Sequence, residues 1–303
     1  MLKVIEAFGG IGACTQALKN IGIDFEVVDY IDNDKYSVRS YNAINDTNFE
    51  PQDIRDWDKQ IDVDLFSHGS PCINFSLAGR EEGGDEGSGT QSSLMYESLR
   101  IIEKLRPKYV VWENVKNLLG KKHFHNFQNY LDRMEKFGYT NYYKVLDAQD
   151  YLIPQHRERV FTVSIRNDLA QDYVFPPSRV GPIPLKNLLE PTVDEKYFLS
   201  DSAMKTYNRA FGSRGKELDL NGICPTLVAN MGRGGGNVPF FYDKGRPRKL
   251  TPKECWRLMG FPDEAFVKAR EVNSDTRLYQ EAGDSIVVTV LEDIFRNLLE
   301  DYK

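Results

Sequence analysis

Residues 4–18 read VIEAFGGIGACTQAL, and this stretch decides the fold. A short apolar run meets glycines at 9, 10 and 12, and a helical pattern follows at once. Strand, glycine turn and helix open a sheet covered by helices, the glycines letting backbone approach a ligand at the helix start. The full G-x-G-x-x-G phosphate fingerprint is missing. Asp32 ends the next β-rich run, about 20 residues further on, where an acidic group can hold a ribose hydroxyl. An adenosine-containing ligand is expected; at this level a nicotinamide and a sulfonium cofactor fit equally well.

The pattern then repeats. KVIEAF, FEVVDYI, VDLFSHG, KYVVWEN, YYKVLD and RVFTVSI read as strands, with helical patterns at 13–20, 35–42, 92–105 and 126–137. This alternation predicts an α/β fold with a doubly wound, mostly parallel sheet, its ligand crevice beyond the strands' carboxyl ends. Every motif of this half is expected at such an end. Near FPPSRVGPIPL the alternation stops and Gly, Pro and Arg accumulate. The final pattern, 283–299, is an amphipathic helix that needs a sheet to cover. The expected division is a first domain over 1–179, a smaller one over 180–271, and a segment over 272–303 that returns to the first.

With 41% apolar and 28% charged residues, the 303-residue chain has an ordinary globular composition. No apolar run approaches the ~18 residues of a membrane span, and MLKVIEAFGG is too short and acidic for a signal peptide. A cytoplasmic protein with no membrane partner is expected. The net charge is −6, yet residues 205–259 carry eleven Lys and Arg against four Asp and Glu, a candidate polyanion-binding face. Cys14, Cys72, Cys224 and Cys255 form no C-x-x-C pair, and His123 and His125 stand without a ligand cluster, so neither a metal nor a disulfide is expected.

Cys72 lies in LFSHGSPCINFS, just past a buried strand. A small core residue and a nucleophile are the two readings left open. VVWENVKNLL puts Glu113 and Asn114 at another strand end, where the Glu113 carboxyl serves as a cap or ion pair, or shares a proton with a heterocycle. IPQHRERVFTV sets Gln155, Arg157 and Arg159 at alternate positions on one face, three donors suited to anionic or carbonyl oxygens. Between them AGREEGGDEGSGTQS, 78–92, reads as a surface loop or a closing lid.

Taken in order, FGGIG, Asp53-Ile54, GSPCxxFS, ENV, QxRxR, RKLTPKECWRLMGFP and QEAGDSIVV closely resemble the cytosine-5 DNA methyltransferase family, from Ala7 to Leu291. The resemblance implies a Rossmann-like S-adenosylmethionine-dependent methyltransferase fold with a target-recognition domain. It assigns Phe8, Gly9, Gly10, Ile11, Gly12, Asp32, Asp53, Ile54, Pro71, Leu94, Asp284 and Ser285 to the cofactor. Cys72 becomes the nucleophile, Glu113 its acid-base partner, and Arg157 and Arg159 the groups that hold the base and nearby backbone. Ser76, Arg80, Gln155 and the pair Thr226-Leu227 are implied at the DNA, while Arg209, Arg214, Arg233 and Lys244 are the phosphate contacts expected from charge. The arginines beside Cys72 are expected to favour its thiolate. Duplex DNA and S-adenosylmethionine are the implied partners of a monomer, with room for a restriction endonuclease acting on the same site.

This sequence departs from the family pattern at Ile73 (many members have Gln), Gln91 (Arg), Asn33 (an aromatic), Asp284 (Asn) and Thr289 (Pro). Three rivals stand beside this reading: a transfer-RNA cytosine methyltransferase, a catalytically silent DNA-binding accessory subunit and a nicotinamide oxidoreductase. A silent subunit would be free to lose Cys72, Glu113 and Arg159, and all three are present.

Overall fold

Period-two burial builds the sheet. In β1 (Leu2–Ala7), Leu2 and Val4 join one apolar core while Ile5 and Ala7 join another. The computed structural model describes all residues except 77–81, 180, 182, 206–216, 234–237 and 303. Next come β2 (Phe25–Ile31), β3 (Leu65–His68), β4 (Tyr109–Val115), β5 (Tyr139–Asp147) and β6 (Glu158–Arg166). They form one six-stranded sheet in the order β2-β1-β3-β4-β6-β5, the mostly parallel, doubly wound arrangement expected. The chain leaves β1 toward one edge and returns to β3 on its other side, so the ligand crevice opens between their carboxyl ends.

One expectation needs correcting. The Gln-x-Arg-x-Arg run lies at the amino end of β6, not at a carboxyl end. It reaches the same crevice because β6 runs antiparallel to β4, pairing Arg159 with Val115 and Phe161 with Glu113.

Eight helices are used below: α1 (Ala13–Ile21), α2 (Lys35–Asn45), α3 (Met95–Leu105), α4 (Phe124–Lys136), α5 (Pro252–Arg257), α6 (Asp263–Val272), α7 (Asp275–Asp284) and α8 (Val288–Leu298). α3 and α4 cover the Ile5 side, where Leu99, Ile102, Phe127 and Tyr130 are buried with Phe66, Val110 and Trp112. α1 and α8 cover the Leu2 side, and Asn20 Nδ2 donates to Glu292 Oε1 at 2.7 Å between them.

Beyond residue 182, β7 (Phe240–Asp243) and β8 (Arg246–Lys249) form a hairpin whose two-residue turn, Lys244-Gly245, has positive φ at both positions. Strands of four residues are not stable alone. Leu227, Met231, Phe241, Leu250 and Trp256 instead share the apolar cluster that contains Leu2, Val4 and the inner face of α8.

Charge completes this packing. Arg248 is fully buried and donates through both η nitrogens to the Glu254 carboxylate, each at 2.9 Å, and through Nε to Asp243 at 3.0 Å. Glu254 in turn closes a capping box with Thr251 at the start of α5. Arg246 pairs with Glu195, and Lys253 and Arg257 pair with Asp263. Among the described residues, Arg246, Arg248, Lys253 and Arg257 of the basic stretch are therefore paired with carboxylates of the fold itself.

Arg248→Met leaves the Glu254 carboxylate buried without its cation and is expected to cost ~3–5 kcal/mol. Arg246→Met, on an exposed pair, is expected to cost at most ~1 kcal/mol. Urea unfolding of both variants checks this, and equal losses would refute the structural role given to Arg248.

Candidate active site

The glycine turn after β1 is shaped by its neighbours. A Cβ on Gly9 would lie 2.6 Å from the Tyr30 ring, and Gly12 adopts φ +86° against Tyr41. Tyr30 donates its hydroxyl to the Gly10 carbonyl at 2.6 Å. The start of α1 is already satisfied from within: the amides of Cys14 and Thr15 and the Thr15 hydroxyl all donate to the Glu6 carboxylate, at 3.0, 3.2 and 2.7 Å. Burial pushes Glu6 up to about 7. A cofactor phosphate placed here would meet a carboxylate where a dinucleotide fold offers free amides, so the nicotinamide reading loses its anchor.

Two adjoining cavities follow the turn. One, about 320 Å³, is lined by Phe8, Asp32, Asp53, Ile54, Pro71 and Leu94, six of the residues expected at the cofactor, together with Asn33, Gln52, Arg55 and Gln91. The other shares Phe8 and adds Gly9, Gly10, Asp284 and Ser285 across from Glu113. Asp32 accepts the amides of Gly10 and Asp34, both at 2.9 Å, and burial raises it to about 6. Asp53 is gripped by Arg55. Ile11 and Gly12 line neither cavity; Ile11 is buried in the core and Gly12 makes room for Tyr41.

Cys72 follows β3, half-buried, while Glu113 lies near the carboxyl end of the adjacent β4. The approach to Cys72 is clamped: Trp112 Nε1 donates to Ser70 Oγ at 2.9 Å, and Asn114 Nδ2 to the Ser70 carbonyl at 3.1 Å. Arg159 Nε meets Glu113 Oε1 at 3.1 Å. Burial raises the Glu113 carboxyl, against the pull of Arg159 and Arg157. The Cys72 thiol is also pushed up, by burial and then by Glu113, with the two arginines opposing. Proximity to arginine therefore does not by itself make a thiolate here.

Other expected residues have structural tasks. Arg157 is buried, its η nitrogens donating to the carbonyls of Leu227, Gly283 and Ser285 at 2.9, 3.0 and 2.8 Å. It positions the walls of the site instead of offering those nitrogens to a base. Gln155, expected at the DNA, is completely buried; it donates to the Leu258 carbonyl at 2.8 Å and accepts the Leu227 amide at 3.0 Å. Leu227 is buried as well. Thr226 donates to the His156 carbonyl at 2.6 Å and, with Ser76, His156 and Arg159, lines an open cleft of about 550 Å³. Arg233 and Lys244 are exposed. Arg80, Arg209 and Arg214 lie outside the described residues. In the 78–92 loop, Asp85 bonds His125 and Asn126, and Glu86 pairs with Arg133, so this part rests on α4.

Comparison with known proteins decides the family. The profile described as C-5 cytosine-specific DNA methylase matches residues 2–219 and 200–300. The chain belongs to this family. It is 34% identical to the type II methyltransferase M2.ScrFI of Lactococcus lactis subsp. cremoris, over 99% of both chains. To M.Bsp6I of Bacillus sp. (strain RFL6) it is 32% identical over 98% of both. The S. pombe Dnmt2 methyltransferase structure superimposes with a TM-score of 0.77 at 19% identity, covering 99% of each chain, which shows the shared fold. The protein is thus an S-adenosylmethionine-dependent DNA cytosine-5 methyltransferase, and the transfer-RNA alternative is disfavoured.

The residues present suit a cationic methyl donor without phosphates. Phe8, Pro71 and Leu94 offer apolar contact, and Asp32 and Asp284 offer negative charge. Sequence reasoning missed Glu6 and the Ser70 clamp. The signal for Glu6 was a lone carboxylate inside an apolar strand, VIEAF, which needs a partner to be buried.

Glu113→Gln removes a charge that raises the Cys72 thiol and leaves both arginines in place. Alkylation of Cys72 by iodoacetamide, followed by mass spectrometry against pH, should then reach half its maximal rate at a lower pH than in the native protein. The other three cysteines are buried and serve as internal controls. An unmoved profile would show that Glu113 does not act on the thiol.

Proposed function

We propose that this methyltransferase acts on a cytosine extruded from a specific duplex site, through a transient covalent bond from Cys72 Sγ to ring carbon 6. The observation carrying this reading is a half-buried cysteine just past β3 and a buried glutamate near the carboxyl end of the adjacent parallel β4, with Arg159 bound to the glutamate.

Carbon 5 of cytosine is a weak nucleophile until carbon 6 is attacked. Burial raises the Glu113 carboxyl above the usual carboxylate range, which suits it to share a proton with ring N3 as charge develops there. A protonated Glu113 also ceases to oppose ionisation of Cys72, so the two groups titrate as a coupled pair. Arg159 then stabilises the carboxylate left after proton transfer. When bound, S-adenosylmethionine supplies the electrophilic methyl group. Loss of the carbon 5 proton to a base expels the Cys72 thiolate and restores the aromatic ring. Cys72 lies at the switch point of a rigid sheet, so the base must leave the helix to reach it, at a cost of a few kcal/mol.

We further assign catalysis and cofactor binding to 1–179, target recognition to 180–271, and completion of the cofactor pocket to 272–303. Action as a monomer belongs to the same proposal. The names of the bacterial relatives favour a role in a type II system beside an endonuclease for the same site, and their sources support a cytoplasmic location. Sequence choice is assigned to 180–247. Within it, Thr226 lines the open cleft with Ser76 and Arg159, while residues 234–237 lie outside the described part of the chain.

Cys72→Ser is expected to abolish methyl transfer and the covalent adduct on a duplex carrying 5-fluorocytosine, while holding DNA affinity within about tenfold. Denaturing gels and a filter-binding assay read both, and adduct formation by the serine variant would end this mechanism. Arg233→Ala and Lys244→Ala should each lower affinity for all sequences and reduce the salt slope by about one unit. An unchanged slope in both would place the phosphate contacts elsewhere.

A further inference from the structure

Five carboxylates line the two cofactor-side cavities, and four of them have committed partners. Glu6 caps α1, Asp32 accepts two backbone amides, Asp53 pairs with Arg55, and Glu113 pairs with Arg159. Asp284 differs. It is exposed at the end of α7, and its side chain receives only a 3.5 Å contact from Gln280 among the described residues. Its backbone is nevertheless fixed, because Arg157 binds the carbonyls on both sides, of Gly283 and Ser285. Asp284 lines the same cavity as Phe8, Gly9, Gly10 and Glu113. A carboxylate with a fixed backbone and no ion-pair partner among the described residues therefore faces the space between the glycine turn and Glu113.

We propose that Asp284 recognises the positive charge of the sulfonium and so distinguishes the methyl donor from its neutral thioether product. This rests on the cofactor assignment above. Methyl transfer removes the sulfonium charge, since the carbon–sulfur bond breaks with its electron pair left on sulfur. The Coulombic attraction disappears at that moment, which favours release of S-adenosylhomocysteine over its retention. The α-ammonium and carboxylate of the amino-acid portion are common to donor and product and cannot supply this discrimination.

The test is calorimetry of the native protein and Asp284→Asn with S-adenosylmethionine and, separately, S-adenosylhomocysteine. Asn keeps the size of the side chain and is usual here in the family, and thermal melting checks that the variant is folded. The variant should bind the donor ~3–10-fold more weakly, as one partly screened charge contact predicts, and the product within about twofold of native. Equal weakening of both ligands would mean that Asp284 meets the shared amino-acid portion, and overturns the proposal. Unchanged affinity for both overturns it as well. A native protein that bound neither ligand would overturn the cofactor assignment itself, an outcome distinct from the other two.

Discussion

The Arg157 guanidinium joins three parts of the chain at one point. It rises from the approach to β6 and donates to Leu227 in the segment after the sheet and to Gly283 and Ser285 ahead of α8. Burial and the neighbouring Arg159 lower it to about 9, so it remains a cation at neutral pH. A buried cation is costly unless its donors are used, and three charge-assisted bonds offset that cost only while all three carbonyls stay in place. Gln155, two residues earlier on the same face, repeats the device with neutral bonds to Leu227 and Leu258. The wall of the cofactor crevice, the sheet and the segment leading to Thr226 are thereby held in one register. The apolar core that runs from Leu2 to Trp256 is the packing counterpart of this junction.

Charge in the crevice is graded. Glu6 faces the turn and is fully used by α1; Asp32 ties the turn to the end of β2; Glu113 is held by Arg159 beside the nucleophile. Burial raises all three carboxyls, so the fold carries them at an electrostatic cost that internal hydrogen bonds partly offset. Such an environment repels phosphate and suits a cationic, phosphate-free cofactor. Burial, and then the charge of Glu113, also push the Cys72 thiol up, which opposes its ionisation.

The sheet was legible because its signals are local: six β-rich runs and four helical patterns each matched an element within a few residues. The placement of Cys72 and Glu113 was legible because GSPC and ENV follow or close β-rich runs, and the structure sets them just past β3 and near the end of the adjacent β4. What escaped was set by distant partners. The reversal of β6 leaves no mark in RVFTVSI, since its side chains alternate in the same way in either direction. Gln155 and Leu227 looked available to DNA because sequence cannot show that each satisfies the other. The hairpin of β7 and β8 was hidden by its brevity and by Arg248, a charged residue that reads as surface and is buried.

That same arginine bears on how an acidic protein holds a polyanion. The basic stretch places Leu227, Phe241, Leu250 and Trp256 in the main apolar core, but its four-residue strands need more than that burial to stay folded. Arg248 with Glu254 and Asp243, and Arg257 and Lys253 with Asp263, supply the remaining order. Each cation fixed in this way is withdrawn from the phosphates. If this stretch meets DNA as proposed, fewer counterions are released on binding than the composition suggests. On the proposed reading, exposed cations of the described residues that stand outside these pairs, such as Arg233 and Lys244, are the ones offered to the DNA backbone.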